Sequence, residues 1–374
     1  MKSIVITGAN GLLGWHSAVR LHAENCASWF KERKYIYKII LLDRNKFQNS
    51  DCLHAAVENA DIILHFAGVN KANNKDEISG NINIAQKLAF AYKEKKSKAH
   101  IVYANSTHSL GKSEYGLSKE SANQVLGNVA FNYTNLILPH IFGECARPYY
   151  NNVTATLIDQ IWKNEKLTVN PEGYVSLFHA GDAAEAACKA GLNNYQGNMT
   201  CNGRNMSITE LAKKLESLHF GYKNNIFPDL KEPFQLKLFN AYRNASFPSK
   251  WPLKIKLNKD SRGQLFEAAK GGGGGQSFVS STHPGITRGN HFHLKKVERF
   301  LVIKGNAIIR IRRVLDDKVF KFKVSGDSPA CLDIPTLHTH SIENIGDGEL
   351  TTLFWSSDIF DPEVPDTYAD PVLI

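Results

Sequence analysis

Four side chains of the kinds that bind metals stand at fixed spacings near the C-terminal end of this sequence. Residues 285–305 read GITRGNHFHLKKVERFLVIKG, which fits the pattern G-x5-H-x-H-x4-E-x6-G at every fixed position. Side chains two positions apart on a β-strand project to the same face, so His291 and His293 are expected to face one side. Glu298 follows after a turn, and His340 comes from a distant strand. The spacing therefore predicts a β-fold that brings two separate segments together.

This set of side chains has the chemistry of a metal site. Three imidazoles and one carboxylate suit zinc, iron, manganese or nickel, and they leave coordination positions open for water or substrate. An isolated H-x-H near a glutamate is usually a pair of surface histidines, but here the spacings agree across two segments. We expect a divalent transition metal bound by His291, His293, Glu298 and His340, and the residues alone leave its identity open. His338 is the alternative fourth ligand.

Length and charge limit the classes of function. The chain has 374 residues, enough for two or three domains, and its 43% hydrophobic and 22% charged residues are typical of a globular protein. Lys and Arg number 45 against 36 Asp and Glu, a net charge of +9. No block of five like charges occurs, so a nucleic-acid partner is not indicated. The basic excess suits phosphorylated small molecules such as dinucleotides or nucleotide sugars.

Cysteine usage and hydropathy predict a cytoplasmic protein. Six cysteines are scattered without a C-x-x-C pair, which fits reduced thiols better than a disulfide framework. The first residues run directly into a strand and leave no room for a signal peptide. Apolar runs are too short to span a bilayer, so no membrane association is expected.

The N-terminal end carries an unrelated signature. MKSIVITGANGLLGWHSAVRLHA reads as a buried strand, a glycine turn and a helix, with Gly8, Gly11 and Gly14 in the spacing G-x-x-G-x-x-G. Such glycines permit a tight turn, close backbone approach to a pyrophosphate, and close packing of helix on strand. The free N–H groups at the helix N-terminus would face the phosphate. The segment therefore predicts a dinucleotide site.

Further apolar runs separated by helical stretches predict a parallel sheet of βαβ units. Asp43 ends the second run, where a carboxylate would bind a ribose 2′-hydroxyl and favour NAD. Arg44 beside it would instead pair with a 2′-phosphate and favour NADP. Both NADPH and NADH remain open on the residues alone.

A candidate proton-transfer group follows in NSTHSLGKSEYGLSK, residues 105–119. Tyr115 and Lys119 are four residues apart and hence on one face of a helix. The ammonium is expected to lower the pKa of the phenol so that Tyr115 exchanges a proton near neutral pH with a carbonyl oxygen of the substrate. Ser106 is expected to hydrogen-bond that oxygen. The same Y-x-x-x-K spacing recurs at Tyr92 and Lys96, where it reads as a solvated helix face.

These motifs resemble the extended short-chain dehydrogenases/reductases over roughly residues 1–245. The resemblance is carried by GANGLLG, HFAG, YANST, YGLSK and LPHIFG. It implies Ser106, Tyr115 and Lys119 as the catalytic set, with Thr107 as the alternative hydroxyl. It further implies a cofactor site, with Pro139, His140 and Ile141 beside the nicotinamide and the sugar ring of the substrate. The residues of that cofactor site are Gly8, Gly11, Leu12, Gly14, Asp43, Arg44, Ala67, Gly68, Tyr115, Lys119, Pro139 and Ile141.

The remainder reads as an all-β domain. Short β-type runs alternate with turns from residue 276 onward, and prolines interrupt the preceding segment. We expect an α/β Rossmann domain over 1–248 and a metal-binding jelly-roll barrel of the cupin class over 249–374. The glycine usual at position 337 of the cupin frame is Leu337, so a different turn is expected before His340. By analogy with other cupins, a homodimer is expected.

The two halves together resemble bifunctional capsular-polysaccharide and O-antigen enzymes on the route to UDP-N-acetyl-L-fucosamine, in which a reductase is fused to a zinc cupin. The resemblance implies a UDP-sugar substrate, C3 epimerisation of a UDP-2-acetamido-2,6-dideoxy-4-keto-hexose by the cupin, and NADPH-dependent C4 reduction to UDP-2-acetamido-2,6-dideoxy-L-talose. Two alternatives remain. One is a reductase with a structural or regulatory cupin, and the other is a non-catalytic dinucleotide or effector sensor.

Overall fold

The computed structural model describes residues 1–70, 75–261, 263–271 and 274–374. It divides into two compact units. The N-terminal unit comprises Met1–Thr156 and Asn170–Ile208, and the C-terminal unit comprises Leu157–Val169 and Thr209–Ile374. These units do not coincide with the expected domains 1–248 and 249–374, because residues 209–248 belong to the C-terminal unit. Among the described residues, no helix is both long and apolar enough to cross a membrane.

The N-terminal unit is built on a parallel sheet. Its strands are β1 (Lys2–Thr7), β2 (Tyr37–Leu42), β3 (Ile62–His65), β4 (His100–Ser106), β5 (Asn132–Leu138), β6 (His140–Phe142), β7 (Tyr174–His179), β8 (Gly197–Thr200) and β9 (Arg204–Ser207). Its helices are α1 (Leu12–Glu32), α2 (Arg44–Gln48), α3 (Ser50–Glu58), α4 (Lys75–Glu94), α5 (Glu114–Gly127), α6 (Val153–Lys163), which ends in the other unit, and α7 (Ala180–Leu192). Six strands form a sheet of order β2-β1-β3-β4-β5-β8, and β6, β7 and β9 form a small second sheet.

The sequence explains the position of this sheet. Strand β1 is buried from Ser3 to Thr7, as expected for a parallel strand covered on both faces. Apolar side chains pack on each face of the sheet in a separate cluster, one including Val5 and Ile63 and the other Ile4 and Leu64. Alternation along each strand therefore supplies both cores. The predicted Rossmann-type fold is confirmed.

The C-terminal unit is dominated by antiparallel sheets. Its helices are α8 (Ile208–Lys223) and α9 (Pro233–Asn244), and its strands are β10 (Ile226–Phe227), β11 (Leu253–Lys254), β12 (Leu257–Asp260), β13 (Gly263–Phe266), β14 (Lys270–Gly271), β15 (Gln276–Thr282), β16 (Thr287–Phe292), β17 (Glu298–Lys304), β18 (Asn306–Arg313), β19 (Val319–Ser325), β20 (Ala330–Ile334), β21 (His338–Asn344), β22 (Leu350–Ser356) and β23 (Tyr368–Ala369). Two five-stranded sheets have the orders β11-β20-β17-β22-β15 and β19-β18-β21-β16-β23.

The core of this unit draws on both five-stranded sheets. Phe300 and Leu332 come from one sheet and Ile309 and Ile342 from the other, and all four are buried in one cluster. The arrangement agrees with the all-β jelly-roll class expected for this region.

Buried polar bonds explain why α8 belongs to the C-terminal unit. Arg299 on β17 forms a two-pronged ion pair with Asp333 on β20, with nitrogen–oxygen distances of 2.5 and 2.7 Å. The hydroxyl of Tyr222 on α8 donates to the second carboxylate oxygen of Asp333 at 2.5 Å. A buried carboxylate needs such partners, so α8 is tied to the β-sheet by more than apolar packing.

Candidate functional sites

The glycine turn after β1 leaves no room for side chains at two of its glycines. Gly8 has a φ of +66°, and a Cβ there would lie 2.7 Å from the backbone nitrogen of Ala67. A Cβ on Gly14 would lie 2.3 Å from the carbonyl oxygen of Gly8, so the first turn of α1 sits directly against the loop. The backbone itself therefore requires glycine at these two positions of the sequence motif.

The N-terminus of α1 is suited to an anion. Gly11 caps the helix without a side-chain hydrogen bond, and Leu12 is the first helical residue. The first N–H groups of a helix have no partner within the helix, and its dipole favours negative charge at this end. A pyrophosphate fits this turn for both reasons.

The residues expected around the rest of a dinucleotide follow the ends of the neighbouring strands. Asp43 follows β2, and its carboxylate accepts from the backbone N–H of Lys46 at 2.8 Å, which caps α2. Arg44 is exposed on the first turn of that helix. The backbone N–H of Ala67 donates to the hydroxyl of Thr7 at 3.2 Å.

Gly68, Pro139 and Ile141 lie at the same carboxyl edge of the sheet, after β3 and β5. A Cβ on Gly68 would lie 4.0 Å from the ammonium nitrogen of Lys119, so this loop approaches the expected catalytic lysine. Pro139 and Ile141 are half-buried and flank His140, which begins β6. Ligands of open α/β sheets bind at this edge.

The candidate catalytic side chains come from β4 and α5. Ser106 ends β4, and its hydroxyl accepts from the backbone N–H of His108 at 3.2 Å. The hydroxyl of Tyr115 donates to the side-chain oxygen of Asn70 at 3.3 Å. The ammonium of Lys119 donates to the carbonyl of Ala104 at 2.6 Å and lies 4.3 Å from the ring centre of Tyr103. Thr107 is exposed and begins a short 3-10 helix.

The pKa values at this site correct one expectation. Burial raises the pKa of Tyr115, while a hydrogen bond with Ser106 opposes that change. Burial lowers the pKa of Lys119 to about 7. The sequence suggested that Lys119 governs the pKa of Tyr115, but in this structure burial is the larger influence, and the ammonium of Lys119 is directed at a backbone carbonyl.

The second Y-x-x-x-K pair has a structural role. The hydroxyl of Tyr92 is buried, donates to the carbonyl of Ala99 at 3.0 Å and accepts from the backbone N–H of Phe131 at 3.1 Å. The tyrosine therefore anchors the chain around the start of β4 and β5 rather than lying on a solvated helix face. This corrects the interpretation of Tyr92 but leaves Tyr115 as the candidate proton-transfer group.

The four expected metal ligands form one cluster in the C-terminal unit. His291, His293, Glu298 and His340 offer ligand atoms that all lie within 4.8 Å of one another. His291 and His340 are paired across β16 and β21, and Glu298 begins β17 in the other sheet. The two segments of the sequence pattern thus meet in space.

Hydrogen bonds orient two of these imidazoles toward a common point. The Nδ1 atom of His293 donates to the carbonyl of Asp366 at 2.6 Å, and that of His340 faces the carbonyl of His338 at 3.5 Å. Their Nε2 atoms then carry lone pairs. These atoms lie 2.8 and 3.4 Å from Oε2 of Glu298, are buried, and make no hydrogen bond of good geometry. A cation between these acceptors would satisfy all of them, so the donor set fits zinc.

The ionisation of the cluster favours metal binding. Burial, together with His340 and His293, lowers the pKa of His291 to about 2. Burial raises the pKa of Glu298, but His293 and His340 outweigh it and hold that pKa well below its ordinary value. Neutral imidazoles and an ionised carboxylate are the forms that bind a metal.

The turn before His340 has a left-handed backbone at the position where the pattern usually has glycine. Leu337 has a φ of +62° and is buried, with its N–H donating to the carbonyl of His293 at 2.8 Å. His338 packs against Phe247, with ring centres 5.1 Å apart, and lies outside the ligand cluster.

A cavity of about 230 Å³ opens beside His291 and Glu298. Lys296 lines it, with its ammonium 3.5 Å from Oε1 of Glu298 and 3.2 Å from the hydroxyl of Thr367. The remaining lining residues are Gln276, Phe278, Ser356, Asp358, Ile359, Phe360, Asp361, Val364 and Pro365. The sequence suggested no role for the segment 356–367, because its residues match no spacing rule and approach the cluster only in the folded chain.

Two family models match separate parts of the chain. Residues 4–200 match the family model described as the NAD dependent epimerase/dehydratase family. Residues 258–368 match the one described as the polysaccharide biosynthesis C-terminal domain. Each half of the sequence therefore matches a family separately.

Relatives exist that match both halves at once. The UDP-2-acetamido-2,6-beta-L-arabino-hexul-4-ose reductase of Pseudomonas aeruginosa is 28% identical over 375 residues, covering 98% of each chain. The crystal structure of the capsular polysaccharide assembling protein CapF from Staphylococcus aureus is 29% identical and covers 99% of this chain and 100% of that one, with a TM-score of 0.59.

Another solved structure matches only part of the chain. It is a UDP-N-acetylglucosamine 4-epimerase from Methanobrevibacter ruminantium, which is 17% identical with a TM-score of 0.54. The match covers 65% of this chain and 97% of that one, and it shows a shared fold over that part.

Proposed function

The chain belongs to the NAD dependent epimerase/dehydratase family, and from that membership we propose that it is a bifunctional enzyme of polysaccharide biosynthesis acting on a UDP-sugar. In this proposal the C-terminal unit epimerises C3 of a UDP-2-acetamido-2,6-dideoxy-4-keto-hexose. The N-terminal unit then reduces the C4 ketone with NADPH to UDP-2-acetamido-2,6-dideoxy-L-talose. The observation that carries it is the end-to-end match with the UDP-2-acetamido-2,6-beta-L-arabino-hexul-4-ose reductase of Pseudomonas aeruginosa.

The reduction is assigned to Ser106, Tyr115 and Lys119. NADPH, or NADH as the alternative, would supply the hydride for the ketone carbon when bound in this unit. Ser106 and Tyr115 hydrogen-bond the ketone oxygen, and Tyr115 gives it a proton as the carbon is reduced. With a pKa of about 7, Lys119 is ready to become charged when the anionic cofactor binds, which would lower the pKa of the nearby phenol.

The cofactor contacts follow from the turns described above. Gly8, Gly11, Leu12 and Gly14 would hold the pyrophosphate. Asp43 and Arg44 would meet the adenosine ribose, Ala67 and Gly68 would lie along the cofactor, and Pro139 and Ile141 would lie beside the nicotinamide. Arg44 favours NADPH over NADH because its side chain is free to pair with a 2′-phosphate at an exposed helix start.

The epimerisation is assigned to the cavity beside the histidine cluster. His291, His293, Glu298 and His340 would hold zinc, which supplies Lewis-acid polarisation of a carbonyl oxygen when bound. The proton on C3 is acidic because it lies next to the C4 ketone. The cavity keeps that carbon next to the cluster, and Lys296 adds positive charge where negative charge develops on the oxygen.

The proposal extends to the setting of the reaction. We propose a cytoplasmic enzyme, as expected of one that uses reduced nicotinamide and nucleotide sugars, and a homodimer. We further propose functional domains over 1–248, for the nicotinamide cofactor and the sugar nucleotide, and over 249–374, for the metal.

The test is to incubate the chain with the 4-keto UDP-sugar and NADPH in heavy water and to analyse the product by NMR. A reduced product with deuterium at C3 is expected, since epimerisation exchanges that proton with solvent. A reduced product with hydrogen at C3 would mean that only the reductase acts. No NADPH consumption would remove the reductase assignment.

Two variants, each with a control variant, separate ketone reduction from C3 exchange. Tyr115→Phe should lose reduction by about 10²–10⁴-fold while C3 exchange continues, and Tyr92→Phe, which alters the structural tyrosine, should keep reduction. His291→Ala should lose C3 exchange while folded protein still consumes NADPH on epimerised substrate. His338→Ala, outside the cluster, should retain exchange.

A further inference from the structure

The C-terminal end of the chain is bonded along the whole loop that carries the candidate metal ligands. Strand β23 pairs with β16, so that Ala369 lies opposite His291 and Tyr368 opposite Phe292. Beyond the strand, the backbone N–H of Asp370 donates to the carbonyl of Asn290 at 2.9 Å. The residue pairs are about 70–80 positions apart in sequence, so this contact exists only in the folded chain.

The carboxylate of Asp366 holds the loop between the second histidine and the glutamate. Its two oxygens accept from the backbone N–H groups of Leu294 at 3.1 Å, Lys295 at 3.0 Å and Lys296 at 2.8 Å. Asp366 is buried, with 7% of its surface exposed. An ionised carboxylate that accepts several backbone N–H bonds in a buried place is a strong and specific contact.

The backbone of the same residue orients a metal ligand. The carbonyl of Asp366 accepts from Nδ1 of His293 at 2.6 Å, which fixes the proton on Nδ1 and leaves Nε2 free to bind a metal. Asp366 adopts a φ of +42°, a conformation that residues other than Gly, Asn and Asp rarely adopt. This conformation lets its carbonyl and its carboxylate face the same loop.

A buried arginine fixes the far end of this segment. Arg312 on β18 has 3% of its surface exposed. Its guanidinium bonds the carboxylate of Asp370 at 3.0 Å and the carbonyls of Pro371 at 2.6 Å and Val372 at 3.0 Å. The segment 366–372 is therefore held at both ends, and Asp366 has a rigid support.

We infer that Asp366 is a positioning residue of the metal site, which sets the tautomer of His293 through its carbonyl and the path from His293 to Glu298 through its carboxylate. The inference rests on the metal site of the proposed function. Residues that orient metal ligands contribute about 10–100-fold to metal affinity. Nothing in the ligand spacing points to Asp366, because it belongs to a segment far along the chain.

The test compares two substitutions that can adopt the positive φ of residue 366. Both Asn and Gly adopt positive φ easily, so neither strains residue 366. Asp366→Gly removes all three bonds to the loop and should weaken zinc binding by about 10–100-fold. Asp366→Asn keeps one acceptor oxygen but turns an NH₂ group toward N–H donors, and it should give an intermediate loss. The measurement is zinc affinity of the metal-free full-length chain in competition with a fluorescent chelator.

A second measurement separates positioning from general stability. The melting temperature of each metal-free variant is recorded beside its zinc affinity. Asp316→Ala serves as the control, because Asp316 also accepts a backbone N–H, from Lys318 at 3.1 Å, in an exposed turn. Weaker zinc binding in both Asp366 variants, with the affinity of the control unchanged, supports the inference.

Two results would overturn it. One is an unchanged zinc affinity in Asp366→Gly, whether or not its melting temperature falls, since a purely structural residue would behave so. The other is a wild-type chain that binds no zinc or other divalent metal. Failure of the proposed epimerase is a different result, because it would appear as absent C3 exchange in a wild-type chain that does bind metal.

Discussion

The positive φ of Leu337 allows a stability prediction with an unusual sign. Leu337 is only 4% exposed, so removing its side chain should cost about 2–5 kcal/mol, the usual range for a buried leucine changed to alanine. Its φ of +62° is a second contribution, because the left-handed region costs a residue with a Cβ about 1–2 kcal/mol. Alanine retains that strain, and glycine does not.

The two contributions predict an order of stabilities. A glycine gains about 0.4–1 kcal/mol of extra freedom in the unfolded chain relative to alanine, which opposes the relief of strain. The relief is the larger number, so Leu337→Gly should be more stable than Leu337→Ala by up to about 1.6 kcal/mol. Both variants should remain less stable than the wild type, because the packing that both lose exceeds the strain that glycine relieves.

The assay is urea-induced unfolding of the metal-free full-length chain, followed by circular dichroism. Leu332 is the matched control, since it is buried to the same degree, with 1% exposed, and lies in β20 outside the set of positive-φ residues. There the glycine variant should be the less stable of the pair. If glycine is less stable than alanine at Leu337 as well, the strain assigned to that turn is wrong.

Two further predictions concern buried charges. Burial lowers the pKa of Lys119 to about 7 from 10.5, so between those values the unfolded chain binds one more proton than the folded chain. Stability should therefore rise with pH from about 7 to 10.5, and melting curves of Lys119→Met should show a smaller rise. Arg299→Met leaves the fully buried Asp333 without its main partner and should cost about 3–5 kcal/mol in urea unfolding. Arg310→Met, which breaks the more exposed pair with Glu343, should cost less than about 1 kcal/mol, and equal losses in the two variants would contradict the role of burial.

Much of the fold and of both candidate sites could be predicted from the sequence, because the signals are local. Gly8 and Gly14 are close in sequence, and the close approach at Gly14 is to the carbonyl of Gly8 within the same short segment. His291, His293 and Glu298 are likewise near neighbours, and only His340 had to be joined from another segment. Strand alternation and fixed spacing were sufficient for these groups.

The features that the sequence did not reveal depend on contacts between distant segments. Asp366 acts on a loop about 70 residues earlier, and Tyr222 on α8 reaches Asp333 on β20, which places that helix in the C-terminal unit rather than in the expected first domain. The left-handed backbone at Leu337 was not evident from the sequence for another reason. Its backbone is determined by bonds such as that to the carbonyl of His293, which hold the left-handed conformation even without glycine.

The chemistry of the proposed substrate explains why two such sites belong on one chain. The proton on C3 is acidic only while C4 is a ketone, so in the proposed function reduction at the Tyr115 site would end epimerisation at the His291 site. Epimerisation must come first, and the reductase must leave the unepimerised ketone unreduced or act on it more slowly. Joining the two activities covalently keeps them in equal amounts, so that the ratio of the two rates is determined by the sites themselves and not by separate levels of two proteins.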